Sequence, residues 1–244
     1  MSSTIPTSDR HLLPTDVERM VAGVEGWLGP HEGRLLYRLA SEADPAGCIV
    51  EIGSWHGRST IWLAAGAKAG RGAQVVAIDP HVGTTLREQG ETTELVLRAN
   101  LERARLVDQV AIVVATSSEA VADWSRRVSL LWIDGDHEYE SVRRDFELWE
   151  PHVLPDGVVA LHDTFVSPGP ERVVRELLIE TGRFTSFVHA ETTTAARRCE
   201  RLRPRVALAR RAGLVRRSIY GVRLRAYDAN KCGFATVRDA IVRG

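Results

Sequence analysis

Along the chain, short and almost unbroken apolar runs alternate with stretches in which apolar positions recur every three or four residues. The runs are Cys48 to Gly53 (CIVEIG), Gln74 to Asp79 (QVVAID), Gln109 to Val114 (QVAIVV), Ser129 to Asp134 (SLLWID) and Val158 to Asp163 (VVALHD). A strand buried on both faces reads as such a run, so these predict a parallel sheet covered by helices on both sides. Helices are predicted over about Arg58 to Lys68 and Thr92 to Arg105. After the fourth strand, Tyr139, Val142, Phe146 and Trp149 share one helical side, with Arg143, Arg144 and Glu147 on the other. Pro155-Asp156-Gly157 reads as a turn feeding the fifth strand. Phe184 to His189 and Thr192 to Arg198 read as two further strands, and helices over roughly Thr15 to Leu28 and His31 to Ala43 precede the first. The expected fold class is α/β, a doubly wound and mostly parallel seven-stranded sheet with N-terminal helices.

Composition supports a folded domain. The 244 residues are 44% hydrophobic and 26% charged, with 32 basic and 32 acidic side chains, which excludes an intrinsically disordered chain. No apolar run approaches the roughly 18 to 20 residues that span a bilayer. The opening MSSTIPTSDRHLLP lacks the charged start and apolar stretch of a secretory signal. Cys48, Cys199 and Cys232 are too scattered for a disulfide framework, so a cytoplasmic location is expected. Only Lys68 and Lys231 are lysines, an arginine bias that hints at a GC-rich bacterial genome.

The zero net charge hides an asymmetry. Eleven arginines and one acid, Glu200, lie between Arg197 and Arg225, a local +10 balanced by −10 elsewhere. Such a shift marks an appendage. The expected organisation is a flexible N-terminus over 1–14, a main domain over 15–200 and an Arg-rich extension over 201–244. In the extension, Leu208, Ala212, Val215, Ile219, Val222 and Ala226 form an apolar stripe among arginines, interrupted by Gly213 and Gly221, each costing about 1 kcal/mol. Two readings stand: peripheral contact with an anionic membrane, or packing on the body or a twin subunit in a homo-oligomer, the second favoured. Aromatic residues are too sparse there to favour nucleic acid.

Open parallel sheets bind ligands outside the carboxyl ends of their strands. At the first such end, Gly53 and Gly57 permit a tight turn and close backbone approach, and Ser59 and Thr60 begin a helix. Asp79, ending the second strand, suits ribose hydroxyls. An ordinary glycine turn with a helix cap would look similar. The G-x-x-x-G spacing lacks the third glycine of a dinucleotide fingerprint, so adenosine without pyrophosphate is the better expectation.

The stretch EIGSWHGRST resembles motif I of class I S-adenosylmethionine-dependent methyltransferases, a Rossmann-like family, and especially small-molecule O-methyltransferases related to catechol O-methyltransferase. Glu25-Gly-Trp27-Leu28, Leu36-Tyr37 and WIDGDHEYESVRRDFELWEPHVLPDGVVALHD resemble bacterial methyltransferase family 24, over roughly residues 20 to 200. The resemblance implies that Glu51, Gly53 and Ser59 hold the methionine part of S-adenosylmethionine and that Trp55 lines its loop. It implies that Asp79 takes the ribose and that Ser117 and Ser118 border the adenine, where helix capping is the alternative.

It further implies that Asp134, Asp136, His137, His162 and Asp163 converge beside the sulfonium. O-methylation needs a base for the acceptor hydroxyl, and a histidine suits that task. His137 matches the base position, and Asp134 serves both cofactor and catalysis. In metal-dependent relatives, Asp134, His162 and Asp163 would correspond to ligands of a divalent cation, magnesium or manganese; a histidine ligand favours manganese, iron or zinc, and without it magnesium could be held by Asp134, Asp163 and water. His162 departs from the usual carboxylate or amide, and it also reads as a buried structural histidine. Asp136 reads equally well as a turn acceptor. The expected function is O-methylation of a small-molecule or glycosylated acceptor. The alternative is a non-catalytic S-adenosylmethionine-binding partner of another enzyme. The N-terminal helices and the loops Val82 to Glu91 and Thr164 to Pro170 would set acceptor choice.

Overall fold

A computed structural model describes residues 12–82 and 93–199. The extension over 201–244, most of the N-terminal segment 1–14 and nearly all of the Val82 to Glu91 loop lie outside the described residues.

Seven strands form one sheet in the order β3-β2-β1-β4-β5-β7-β6. They are β1 (Cys48–Ile52), β2 (Val75–Asp79), β3 (Val110–Val114), β4 (Val128–Ile133), β5 (Val153–Leu161), β6 (Phe184–Ala190) and β7 (Thr193–Arg198). The first five are parallel, and β7 runs antiparallel between β5 and β6. Strand order therefore reverses between β1 and β4, which opens a crevice at their carboxyl ends.

The two faces divide the core by alternation along each strand. Ile49, Val75, Leu130, Trp132 and Ala160 pack on the side of α1 (Pro14–Val21), α2 (Pro30–Glu42), α3 (Arg58–Ala69) and α4 (Glu94–Ala104). Val50, Ile78, Leu131, Val159 and Leu161 pack on the other side, against α6 (Tyr139–Trp149) and α7 (Pro168–Val173) and near the short α5 (Ser117–Ala122). Among the described residues, no helix is long and apolar enough to cross a membrane.

Three local departures from the pattern have identifiable causes. The first helix stops at Val21 rather than Leu28. Gly23 and Gly26 follow it, and the Arg58 guanidinium donates to the carbonyls of Val21, Val24 and Leu28, fixing an irregular segment that carries Trp27. Pro155-Asp156-Gly157 lies inside β5 as a bulge: pairing jumps from Val128↔Val153 to Leu130↔Val158. Finally, between β5 and β6, where the pattern gives no helix bounds, α7 begins at Pro168 and continues as a wide-turned helix over Val174–Ile179. Proline is tolerated in a first helical turn. Gly169 is required there because a Cβ would sit 2.1 Å from the His137 carbonyl oxygen.

Candidate active site

The carboxyl ends of β1 and β4 touch through backbone. Gly53 has φ +87°, and a Cβ there would lie 2.3 Å from the Asp134 carbonyl oxygen. Only glycine fits both the left-handed conformation and this approach. The loop that follows is held by its neighbours: Asp79 Oδ2 accepts the amides of Ser54 (2.9 Å) and Trp55 (2.8 Å), and Oδ1 accepts the His81 amide (2.7 Å). Gly57, with φ +85°, caps α3 against Leu97, and Asn100 of α4 donates to the His56 carbonyl.

Glu51 lies beneath this loop, fully buried. Its two oxygens accept the hydroxyls of Ser59 and Thr60, each at 2.6 Å. Burial raises its carboxyl, the two hydroxyls oppose this, and Asp134 and Asp79 add to the rise, so the group titrates at about 8. Trp55, at φ +40°, stacks on His56 and on Trp27, whose ring centroid is 4.9 Å away. At the end of β3 the helix cap is Thr116, which exchanges hydrogen bonds with Glu119. Ser117 accepts from the Trp149 indole at 2.9 Å, and Ser118 is exposed on the next position.

The β4 and β5 ends bring acids and histidines together. His162 Nδ1 lies 3.0 Å from Asp134 Oδ1 and 3.5 Å from Asp163 Oδ2, while its Nε2 lies 3.3 Å from Glu32 Oε1. His137 Nε2 lies 3.2 Å from Asp163 Oδ2, with the histidine side chain half exposed at the rim. Burial alone would lower His162, but the charge and hydrogen bond of Asp134 and those of Glu32 outweigh it and push the ring up to about 11. Burial raises the Asp134 carboxyl against the pull of His162. Asp136 accepts the amides of His137 and Glu138 at 2.7 and 3.2 Å, so it closes the turn that presents His137.

The crevice at the β1, β2 and β4 ends presents polar groups of the kind an adenosyl and amino-acid cofactor uses. Gly53 lets the β1 and β4 ends close together, Asp79 stands at the end of β2, and Ser54 Oγ is buried without a hydrogen-bond partner among the described residues. Ser54 was not singled out from the sequence, and its place between two recognised loop residues was the available signal. Glu32 was also missed, because its partners are distant in sequence. The three-residue cation set fits poorly. Both nitrogens of His162 face carboxylates, leaving neither ring lone pair directed at a metal. Among the described residues, no group of three or more His, Cys, Asp or Glu side chains has an arrangement that could hold a metal ion.

Comparison with known proteins agrees with this fold. Residues 50–164 match the model of methyltransferase family 24, described as a methyltransferase domain. A mouse protein named transmembrane O-methyltransferase homolog is 27% identical over 195 residues, covering 73% of this chain and 70% of its own length. The human transmembrane O-methyltransferase is 26% identical over 192 residues, and the match spans 73% of this chain but only 62% of the human protein. The structure of an O-methyltransferase from Bacillus cereus in complex with SAH shares the fold, with TM-score 0.56, 20% identity, and coverage of 76% of this chain and 90% of that one. Residues 50–164 thus carry a match to a methyltransferase domain, and the chain shares the fold of class I S-adenosylmethionine-dependent methyltransferases.

Proposed function

We propose that the protein methylates a hydroxyl on a small acceptor with a flat, apolar body, using His137 as general base. The observation that carries this reading is the His137–Asp163 pair at 3.2 Å, on the rim above the buried Asp134–His162 contact. Asp163 accepts from Nε2 and so fixes the ring, which in its neutral form leaves Nδ1 as the nitrogen that takes a proton.

When bound, S-adenosylmethionine supplies an electrophilic methyl carbon on a positively charged sulfur. In this reading Gly53 and Ser54 admit its amino-acid end, Asp79 accepts its ribose hydroxyls, and the residues after β3 border its base. The Asp79 carboxylate already holds the loop amides, so the ribose would join an ordered acceptor rather than order a loose one. Glu51 acts from below, by fixing Ser59 and Thr60 at the start of α3. As the acceptor oxygen bonds to the methyl carbon and the carbon–sulfur bond breaks, His137 removes the hydroxyl proton. Asp134 orients the acceptor.

The acceptor's flat apolar character rests on exposed side chains at the same edge of the sheet. Trp27 is 67% exposed although it stacks on Trp55, and Val82 and Val166, after β2 and β5, are 72% and 59% exposed. A glycosylated acceptor remains within the proposal where its aglycone is aromatic.

The test is transfer of a labelled methyl group to a panel of hydroxylated aromatics, with S-adenosylhomocysteine binding followed by calorimetry. His137→Ala is expected to lower kcat by about 10²- to 10⁴-fold while leaving that binding within a few-fold. Absence of binding heat in the wild type, or equal loss of binding and turnover in the variant, would overturn the assignment.

A further inference from the structure

Glu32 is 2% exposed, yet it comes from α2 and not from the sheet that carries the rest of the site. Its oxygens meet only donors. Oε2 accepts the Gly29 amide (2.8 Å), and Oε1 accepts the Thr192 amide (3.0 Å) and the hydroxyls of Thr192 (2.7 Å) and Thr193 (2.9 Å). The remaining donor is His162 Nε2, 3.3 and 3.4 Å from the two oxygens. One carboxylate thus joins the start of α2, the tip of the β6–β7 hairpin and the histidine that ends β5. On the far side of that imidazole, Nδ1 is 3.0 Å from Asp134.

A hinge-like freedom is thereby removed. An imidazole anchored at one nitrogen could still rotate about χ2, whereas one held at both by carboxylates on opposite sides has a single orientation. Catalytic carboxylates keep their placement when such supporting hydrogen bonds lock them, and misplacement by about 1 Å costs on the order of 10²-fold in rate.

We propose that Glu32 is a positioning residue for methyl transfer: by holding Nε2 of His162 it turns Nδ1 onto Asp134 and fixes that carboxylate beside the acceptor. The inference rests on the function proposed above, and it makes α2 a working part of the site rather than packing alone. A purely structural account would assign Glu32 only to anchoring α2 on the hairpin through Thr192 and Thr193.

The experiment separates these accounts in the full-length chain. Asparagine in place of His162 keeps a donor near the Nδ1 position, toward Asp134, but no longer reaches Glu32. With catechol as the acceptor probe, Glu32→Gln is expected to lower kcat by about 10²-fold, and to change it by less than about 3-fold when added to His162→Asn. An equal loss in both backgrounds would reduce Glu32 to an anchor and overturn the proposal. Thr193→Val, which weakens the anchor alone, should lower the melting temperature and spare kcat; a kcat loss matching that of Glu32→Gln would have the same refuting force. Nitrogen-15 spectra of labelled histidine give a readout that needs no turnover. The His162 Nε2 resonance should shift in Glu32→Gln, where an uncharged amide replaces the carboxylate it contacts, and unchanged ring resonances would sink the idea. If catechol is not methylated by the wild type, the functional reading is what fails for that probe, and the spectra still decide the contact.

Discussion

Replacing Glu51 by glutamine should change how stability depends on pH, in a direction fixed by its surroundings. The side chain is fully buried, takes one hydroxyl on each oxygen, and faces the charges of Asp134 and Asp79. Burial dominates over the two hydroxyl donors, so the group titrates at about 8 in the fold against 4.5 when exposed. Between those values the native state holds a proton that the unfolded state has released. Stability from this group is therefore complete below 4.5, falls as pH rises toward about 8, and is level above. At about 1.4 kcal/mol per pH unit, the loss across the window is on the order of 5 kcal/mol. For a chain of this length that corresponds to roughly 10 °C or more in melting temperature. Glutamine has no proton to release, and its amide can still meet both hydroxyls, one of them turning to accept. The wild type and Glu51→Gln should melt close together at pH 5, and the variant should lead by a widening margin up to about pH 8. Thermal melts across pH 5 to 9 provide the assay, with all other titrations common to both proteins. A constant gap would mean that Ser59 and Thr60 keep Glu51 ionised despite its burial, and the reasoning would fail.

Two further outcomes follow from the site. Gly53→Ala must place a Cβ 2.3 Å from a backbone oxygen at φ +87°, so a loss of about 3 kcal/mol is expected together with S-adenosylhomocysteine binding; a melting point within 2 °C of wild type, or unchanged affinity by calorimetry, would contradict it. Because His162 spends both ring nitrogens on carboxylates, methyl transfer should persist after exhaustive EDTA treatment, and recovery of activity only on adding back magnesium or manganese would return a cation to the mechanism.

The sheet was legible because its signal is local. CIVEIG, QVVAID and SLLWID are nearly all apolar since both sides of those strands are covered, and strand ends such as Asp79 and Asp134 could be marked by their break in that pattern. Helix boundaries were less so. The first helix ends early because Arg58, more than thirty residues on, claims the carbonyls of Val21 and Val24, and the bounds of α7 were hidden by prolines and a glycine that normally interrupt helices. Asp136 shows the same limit: its sequence allowed a catalytic or a turn role, and the amides it accepts select the second.

The chain's own order of residues determined the alternation of strands and helices, the glycines of the first loop, and the acids and histidines at the strand ends, since each depends on neighbours a few positions away. Tertiary structure alone decided that Glu51 is sealed under that loop and that Glu32 grips His162 across 130 positions. Those outcomes depend on which distant elements pack together, and burial beside a carboxylate rather than residue type sets whether a histidine is a base, a ligand or a strut.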